Sequence, residues 1–406
     1  MSRTIIVGAG PYGLSLAAHL RARNVEFRIF GSPMQFWRQH APPGMLLKSL
    51  GAASDLSDPQ ASFPIAKYCT DAGVPYDDRM PVSAETFVDY GDAFQRRFVP
   101  QVDERHVVAI RRDGAGYSVR LEDGETVGAD RVVVAVGVQP FTYVPPALCG
   151  LPSELVTHSV AYGDIGRLVG RRVVVVGSGA SATDLAVALK ERGTDVSILS
   201  RRPQIRYQSK GGPRKLRHRL RSPESTIGGG WDLWFYANYP QLFRLLPEQK
   251  RYHLVQTVLG AAPGWFVREK VEGQIPVIGG QWPEEAREEG GRVLLRTRGI
   301  DGGTREIEAE QVVAATGYKV DLDRLGFLDE GLRRAIRTAH GVPVLSASFE
   351  SSAKGLHFIG VAASHSFGPV MRFVAGSGYT VRKLAAALDR PAPAAEPMRQ
   401  PAFAEG

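Results

Sequence analysis

The sequence predicts an α/β protein with two parallel-sheet domains, in which strands and helices alternate. An apolar run, a glycine-rich turn and a helix of small residues occur twice in the 406-residue chain, as TIIVGAGPYGLSLAAHL at 4–20 and RRVVVVGSGASATDLAVAL at 171–189. A second repeat comes later in each half, with ADRVVVAVG at 129–137 and AEQVVAATG at 309–317. Both repeats have the short, β-branched pattern of strands that are buried on both faces.

The first glycine turn has the spacing that lets a backbone approach a pyrophosphate. Gly8 allows the tight bend after the first strand, and Gly10 leaves room for the phosphates. Gly13 lets the helix pack closely on the strand, so that its free N–H groups and its dipole face the phosphates. The predicted cofactor-binding residues of this turn are Gly8, Gly10, Pro11, Tyr12 and Gly13.

The second turn repeats this pattern, with Ala182 in the place of the third glycine, a replacement that the dinucleotide fingerprint allows. One glycine turn is weak evidence, but two, each between a valine or isoleucine run and an alanine-rich helix, indicate two Rossmann-like dinucleotide-binding domains. The cofactor-binding residues predicted in the second turn are Gly177, Ser178, Gly179, Ala180 and Ser181.

The residues after the next strand of each domain distinguish the two sites. Arg201 and Arg202 follow DVSILS, where guanidinium groups suit a ribose 2'-phosphate and favour NADPH over NADH. The alternative is that both arginines are ordinary solvated surface residues. In the first domain Gly31 and Ser32 follow VEFRIF, so the acidic residue that commonly binds the ribose is missing there.

The composition is that of a soluble globular protein, with 43% hydrophobic and 23% charged residues. No run is long and apolar enough to span a membrane, and the first strand starts too early for a signal peptide, so we expect a cytoplasmic protein. Cys69 and Cys149 are far apart, which excludes a CxxC redox dithiol and gives no sign of a metal site. The basic run 201–221 follows the second turn, which favours phosphate binding there over nucleic-acid binding.

The repeats also predict the domain organisation. Each half has a β-meander and a returning strand, and first-half material flanks the second half, so the second domain is predicted to be inserted in the first. We expect the first domain at 1–150 and 310–390, and the second at 151–309. The aromatic-rich stretch within 205–290 is expected to form a helical cap, and the proline-rich tail 391–406 is expected to be disordered.

Further motifs give the chain a resemblance to a known family. The AATGY stretch at 314–318, MQFW ending in Trp37 and the two glycine turns together resemble the class B flavin-dependent monooxygenases, over about residues 1–390. His158 and Tyr162 match two positions of that family's identifying motif. The resemblance implies that the first site holds FAD and the second NADPH, and it places Ser32, Trp37, Gly137, Thr316 and Gly317 at the cofactors.

The resemblance also implies a chemistry. Such enzymes form a C4a-(hydro)peroxyflavin and transfer oxygen to a small-molecule substrate, so molecular oxygen and that substrate are the expected partners. By resemblance, the candidate catalytic residues are Lys48 and Ser49 in the segment after Trp37, together with His365 and Ser366. A helix that begins near Pro369 is expected to point its N-terminal amides at the flavin. A surface lysine and serine, and a buried structural histidine, are the alternatives.

Several functions remain open at this point. Oxygenation at nitrogen or sulfur is favoured, because Tyr162-Gly163 differs from the Trp-Pro of the Baeyer-Villiger fingerprint. The alternatives are Baeyer-Villiger oxygenation, a flavoprotein reductase of the same fold without oxygen transfer, and a non-catalytic flavoprotein. His158 is equally well interpreted as a linker residue that ties the chain to a nucleotide domain. A homo-oligomer is compatible with the sequence.

Overall fold

A computed structural model describes residues 3–161, 163, 165–210 and 221–390. The first parallel sheet has the order β19-β6-β1-β2. Its strands β1 and β6 are buried along their whole length, as their valine and isoleucine content predicts. The bounds of these strands are β1 Thr4–Val7, β2 Phe27–Phe30, β6 Arg131–Val134 and β19 Leu356–Phe358.

The second parallel sheet has the order β12-β9-β8-β16-β7. Val173 and Val175 of β8 lie in an apolar cluster with the following helix, whereas Val174 and Val176 lie in a cluster on the other face. Both faces of the sheet are covered at β8, and this strand therefore needs an apolar residue at every position from Val173 to Val176. The bounds are β7 Val156–His158, β8 Arg172–Val176, β9 Asp195–Ser200, β12 Val277–Gly279 and β16 Gln311–Ala314.

The chain leaves the first sheet after β6, builds the second sheet and returns to the first sheet in β19. This confirms the predicted fold class, two Rossmann-like domains with the second inserted in the first. The boundary predicted at residue 310 was wrong, because β16 pairs with β8 in the register Gln311 to Val173 and so belongs to the second sheet. The returning strands of the two halves, β6 and β16, have similar sequences. For this reason the sequence alone could not show to which of the two sheets β16 belongs.

Each half also carries a three-stranded antiparallel sheet, in the orders β3-β4-β5 and β13-β14-β15. We predicted a β-meander before the returning strand of each half, and the structure gives each meander three strands. The bounds are β3 Val107–Asp113, β4 Gly116–Leu121, β5 Thr126–Ala129, β13 Gln281–Glu289, β14 Arg292–Gly299 and β15 Thr304–Ala309. Two-residue strands pair as β10 Glu224–Ser225 with β11 Gly228–Gly229 and as β17 Thr338–Ala339 with β18 Val342–Pro343.

The helices in the described ranges surround the two parallel sheets and form the cap. Ser83 caps one of them, since its hydroxyl accepts a hydrogen bond from the Thr86 N–H. The bounds are α1 Pro11–Ala22, α2 Gln35–His40, α3 Ile65–Ala72, α4 Ala84–Phe98, α5 Ala180–Glu191, α6 Trp231–Asn238, α7 Pro240–Phe243, α8 Glu248–Thr257, α9 Arg268–Val271, α10 Glu330–Ala335, α11 Ser364–Phe367 and α12 Ser377–Leu388.

The structure corrects two expectations about helices. The cap predicted within 205–290 ends before Val277, because β12 pairs with β9 of the second sheet and β13 follows at once. No α-helix begins at Pro369: a single 3-10 turn covers Pro369–Arg372, and α12 starts at Ser377. The tail 391–406, predicted to be disordered, lies outside the described residues. None of the helices in the described ranges is both long and apolar enough to cross a bilayer.

Candidate functional site

The first glycine turn brings two backbone segments into direct contact. Gly8 has φ of +109°, and a Cβ there would lie 2.5 Å from the carbonyl oxygen of Ala135, at the end of β6. A Cβ on Gly13 would lie 1.9 Å from the Gly8 carbonyl oxygen, so α1 packs directly on the turn. No heavy atom lies within 4 Å of a Cβ placed on Gly10, which faces open space. Each glycine thus has the place that the fingerprint predicts.

A cavity of about 310 Å³ lies over this turn. Several residues predicted to bind the first cofactor line it, whereas Gly13 and Pro369 do not; those that do are Gly8, Gly10, Pro11, Tyr12, Ser32, Trp37 and Gly137. Gly31 lines it as well, with φ of +116°, a backbone conformation that a larger residue rarely adopts. The cavity walls are otherwise mostly apolar, with contributions from Met34, Phe36, Phe327, Ile359 and Val361.

The closing segment Met371–Val374 forms a wall of the cavity, and none of its four residues was among the predicted cofactor-binding residues. The Tyr12 hydroxyl lies 2.9 Å from the Phe373 carbonyl oxygen and 3.1 Å from that of Met371, and it donates to this pair. Burial raises the Tyr12 pKa, so the phenol keeps its proton as donor. The segment runs from the end of the 3-10 turn Pro369–Arg372 into the start of the next one, Val374–Gly376, and such short turns carry no periodic sequence pattern.

The second glycine turn repeats the geometry of the first. Gly177 has φ of +140°, and a Cβ there would lie 2.3 Å from the carbonyl oxygen of Ala315, just after β16. Ala182 packs at the third position, fully buried. The first amide of α5, Ala180 N–H, donates to the carbonyl of Ala261 at 2.9 Å. Ser178 is half-buried and Ser181 is exposed in this turn.

Arg201 and Arg202 lie directly after β9, and both side chains are exposed. The Ser200 hydroxyl accepts from the Arg202 N–H at 3.1 Å and lies 2.9 Å from the Arg202 carbonyl oxygen, which fixes the turn that carries them. This is the edge of the second sheet at which β8 leads into its glycine turn, since β8 and β9 run parallel. The position is compatible with the predicted 2'-phosphate role, which stays a prediction.

Lys48, predicted as catalytic, forms a largely buried ion pair instead of lining the cavity. Its ammonium lies 2.8 Å from a carboxylate oxygen of Asp184 on α5 and donates to the Leu46 carbonyl. Burial raises the pKa of the Asp184 carboxyl, and the nearby Lys48 ammonium opposes that rise. The pair joins the segment after Trp37 to the helix of the second glycine turn. Ser49, next in the chain, is half-buried and does not line the cavity either.

His365 and Ser366 are almost completely buried and lie away from the cavity walls. The His365 ring packs beside Tyr252 of the cap helix α8, with ring centroids 5.9 Å apart. Burial, and then the charge of Arg251, lower the pKa of His365 to about 4. The Ser366 hydroxyl accepts the Leu345 N–H at 3.1 Å. Both residues thus lie at the contact between α8 and α11, where His365 Nε2 is buried without a hydrogen-bond partner among the described residues, and their catalytic role stays a prediction.

His158 and the AATGY stretch meet at the carboxyl end of β7, an edge strand of the second sheet. His158 Nε2 lies 3.0 Å from the Gly317 carbonyl oxygen, and its Nδ1 accepts from the Val160 N–H. Burial lowers the pKa of this histidine. Thr316 donates its hydroxyl hydrogen bond to the Tyr143 carbonyl, so these contacts fix the linker between the domains. Tyr162, the other matching residue of the motif, lies outside the described residues, and Pro369 is buried beside the cavity wall without lining it.

Neither a dithiol nor a metal cluster occurs in the described part of the chain. Cys69 is buried, Cys149 is exposed, and both are free thiols. No group of three or more His, Cys, Asp or Glu side chains among the described residues is arranged to hold a metal ion.

The chain is similar to known families of oxidoreductases. Residues 2–221, just over half of the chain, match the family model described as pyridine nucleotide-disulphide oxidoreductase. The chain belongs to this oxidoreductase family. It is 23% identical to an uncharacterised CzcO-like oxidoreductase of Geobacillus kaustophilus, over 88% of this chain and 90% of that protein. It is also 23% identical to a ferredoxin–NADP reductase of Gluconacetobacter diazotrophicus, over 66% of this chain and 63% of that protein.

Solved structures extend the comparison of this oxidoreductase to the whole fold. The reduced ornithine hydroxylase of Pseudomonas aeruginosa superposes with a TM-score of 0.75 at 16% identity, over 96% of this chain and 99% of that one. A cadaverine monooxygenase of Erwinia amylovora superposes with a TM-score of 0.73 at 18% identity, over 99% of both chains. The predicted resemblance to the class B flavin-dependent monooxygenases is thereby confirmed at the level of the fold.

The ion pair of Lys48 and Asp184 predicts a stability effect. In Lys48→Met the Asp184 carboxyl remains buried without its cation, which lowers the free energy of unfolding by about 2 to 3 kcal/mol. Lys67→Met is the control, because its exposed pair with Asp71 contributes well under about 1 kcal/mol. Urea unfolding at pH 7 measures both variants. An equal, small effect of the two substitutions would contradict the assignment of Lys48 to a buried pair.

His365 predicts a pH dependence of stability. Its pKa falls from 6.5 to about 4 on folding, so the unfolded chain takes up a proton first as the pH drops. The free energy of unfolding therefore decreases as pH falls from 6.5 towards 4, by about 2 kcal/mol at pH 5 from this residue. His365→Phe should reduce the difference in unfolding free energy between pH 7 and pH 5 by that amount. His253→Phe, at an exposed position, is the control, and identical pH profiles for wild type and His365→Phe would disprove the prediction.

Proposed function

We propose that this oxidoreductase is an FAD- and NADPH-dependent monooxygenase that oxygenates a nitrogen or sulfur atom of a small-molecule substrate. The observation that carries the proposal is the similarity of the whole chain to N-hydroxylating enzymes. These superpose with TM-scores of 0.73 to 0.75, against 0.62 both for a bacillithiol disulfide reductase of Bacillus cereus and for a flavin-containing monooxygenase of Stenotrophomonas maltophilia. The overall reaction would consume NADPH, a proton, oxygen and the substrate, and release NADP⁺, water and the oxygenated substrate.

The first cavity fits FAD. Gly8 and Gly13 hold the turn against β6 and α1, and the open space beside Gly10 lets a pyrophosphate approach the backbone. Trp37, Gly137 and the closing segment Met371–Val374 supply the remaining walls. Bound FAD supplies the redox chemistry, by accepting a hydride from the reduced nicotinamide and passing the electrons to oxygen.

The contribution of the chain itself is to position the cofactor and exclude water. Met34, Phe36, Trp37 and Phe327 give the cavity apolar walls, which keep solvent away from a reactive site. The Tyr12 hydroxyl fixes the closing segment across the cavity through the carbonyls of Met371 and Phe373. None of the four residues first suggested as catalytic lines this cavity, so we assign no side chain as acid or base.

A reductase without oxygen transfer is the second candidate, because the relatives include ferredoxin–NADP reductases. The chain spans 63% of the length of these relatives.

The reaction of the reduced protein with oxygen separates the two candidates. After anaerobic reduction by NADPH, stopped-flow mixing with oxygenated buffer should show an absorbance band distinct from oxidised and reduced flavin, which decays faster when a substrate amine or sulfide is present. Direct return to oxidised flavin with stoichiometric peroxide, even across a screen of amines and sulfides, would favour the reductase.

The Gly10 position predicts loss of the flavin. In Gly10→Val the side chain enters the open space of the cavity, where the pyrophosphate would lie, without a clash inside the fold. We expect folded protein that carries less than about a tenth of the wild-type flavin, as the lost contact amounts to more than about 1.4 kcal/mol. The ratio of absorbance at 450 and 280 nm measures this. Gly128→Val, at an exposed strand position with equally open space, is the control, and full flavin occupancy in Gly10→Val would contradict the site.

The arginine pair predicts the nucleotide preference. Arg201→Ala/Arg202→Ala removes two guanidinium groups that suit a 2'-phosphate, so KM for NADPH should rise about tenfold or more while KM for NADH changes little. Arg111→Ala/Arg120→Ala, which removes two exposed arginines from the first antiparallel sheet, controls for net charge. Equal increases in KM for both nucleotides would argue against the 2'-phosphate assignment.

A further inference from the structure

A backbone carbonyl of the cap segment covers the second glycine turn. The Ala261 carbonyl accepts the N–H of Ala180, the first amide of α5, at 2.9 Å. A Cβ on Gly179 would lie 2.7 Å from that same oxygen and 3.1 Å from Ala261 Cβ. In a dinucleotide fold the second glycine and the helix N-terminus are where the pyrophosphate approaches. The Ala261 carbonyl, which carries a partial negative charge, therefore lies in the place of the phosphate.

Contacts from both sides hold this segment, residues 258–263, which we call the strap. Arg372 donates to the Val255 carbonyl at 2.6 Å and also to the Leu259 carbonyl. On the other side the Gln208 N–H donates to the Pro263 carbonyl at 2.8 Å. Leu259 has φ of +52°, a left-handed conformation that is unfavourable for leucine, so these contacts keep the strap in a strained geometry.

Arg372 connects the strap to the first cavity. It lines that cavity in the closing segment, next to the carbonyls that Tyr12 holds. No carboxylate among the described residues forms an ion pair with it, and its hydrogen bonds go to the Leu259 carbonyl of the strap and to the Val255 carbonyl in the last turn of α8. Burial lowers the pKa of its guanidinium, which remains charged. Arg372, a cationic side chain in the wall of the first cavity, thus holds the strap in its position over the second glycine turn.

We propose that the strap is a cover of the NADPH site that must be displaced before the nucleotide binds, and that Arg372 is the positioning residue that holds it in place. This inference rests on the proposed function, since it assumes that the second turn binds NADPH. The affinity for the nucleotide is then reduced by the free energy of displacing the strap.

Calorimetric titration of NADP⁺ into the FAD-loaded protein tests the proposal. Arg372→Gln loses the charged donor to the strap, so the Kd for NADP⁺ should decrease about tenfold. Arg244→Gln is the matched control, because its guanidinium packs over the Phe367 ring at the same contact of cap and core but donates nothing to the strap. An unchanged or larger Kd in Arg372→Gln at full flavin content would overturn the proposal.

A second variant leaves Arg372 and the flavin cavity intact. Leu259→Gly removes the cost of the left-handed conformation, which stabilises the strap in place and should raise the Kd for NADP⁺ about threefold. Should Arg372→Gln lose its flavin, this variant decides alone: an unchanged or lower Kd contradicts the strap, and a higher one supports it. Hydrogen exchange gives a readout without activity, since displacement should accelerate exchange of the Gln208 amide when NADP⁺ binds. Unchanged exchange there at saturating NADP⁺ would also contradict displacement.

The outcomes separate the strap from the proposed function. NADP⁺ binding with equal Kd in wild type and both variants would overturn the strap and leave the NADPH site in place. NADP⁺ binding to Arg372→Gln but not to wild type would support the proposal, because the strap would then block the nucleotide completely in the wild type. No binding to any of these proteins would overturn the NADPH assignment, and the strap with it.

Discussion

The close approach of a glycine turn to the end of a neighbouring strand is the constraint on which the rest of the structure depends. In each half, the first glycine of the turn lies where any Cβ would meet a backbone carbonyl after the returning strand, at 2.5 Å for Gly8 and 2.3 Å for Gly177. Glycine alone satisfies both this contact and the positive φ. The contact places each helix N-terminus at the carboxyl edge of its sheet, which is where open α/β sheets bind their ligands.

Irregular segments connect the two glycine-turn sites. The Lys48 to Asp184 pair joins the segment after Trp37 to the helix of the second turn. Arg372, in the wall of the first cavity, holds the segment that covers the second turn. The proposed function requires a flavin and a nicotinamide to meet for hydride transfer, and these connections join the two parts of the chain that would hold them.

The repeated strands, turns and helices could be predicted from the sequence because their signals are local. The run Val173–Val176 is enough to predict a buried strand, and Gly177 after it is enough to predict a tight turn. The first turn, at Gly8, is predicted in the same way. The missed features all depend on distant partners. The sheet of β16, the pairing of Lys48 with Asp184 and the position of Ala261 on the second turn follow from tertiary packing, which neither periodicity nor spacing records. The wall at Met371–Val374 crosses from one short 3-10 turn into the next, and such turns have no periodic pattern to detect.

Anaerobic reduction of the flavin by NADPH tests the central claim most directly, since it requires both sites and their correct approach. The purified flavoprotein is mixed with one equivalent of NADPH in the absence of oxygen, and the absorbance at 450 nm is followed. The account predicts that the flavin is bleached, with oxidation of one NADPH per flavin and a slower reaction with NADH. A flavin that stays oxidised in the presence of excess NADPH would contradict the account of two cooperating dinucleotide sites.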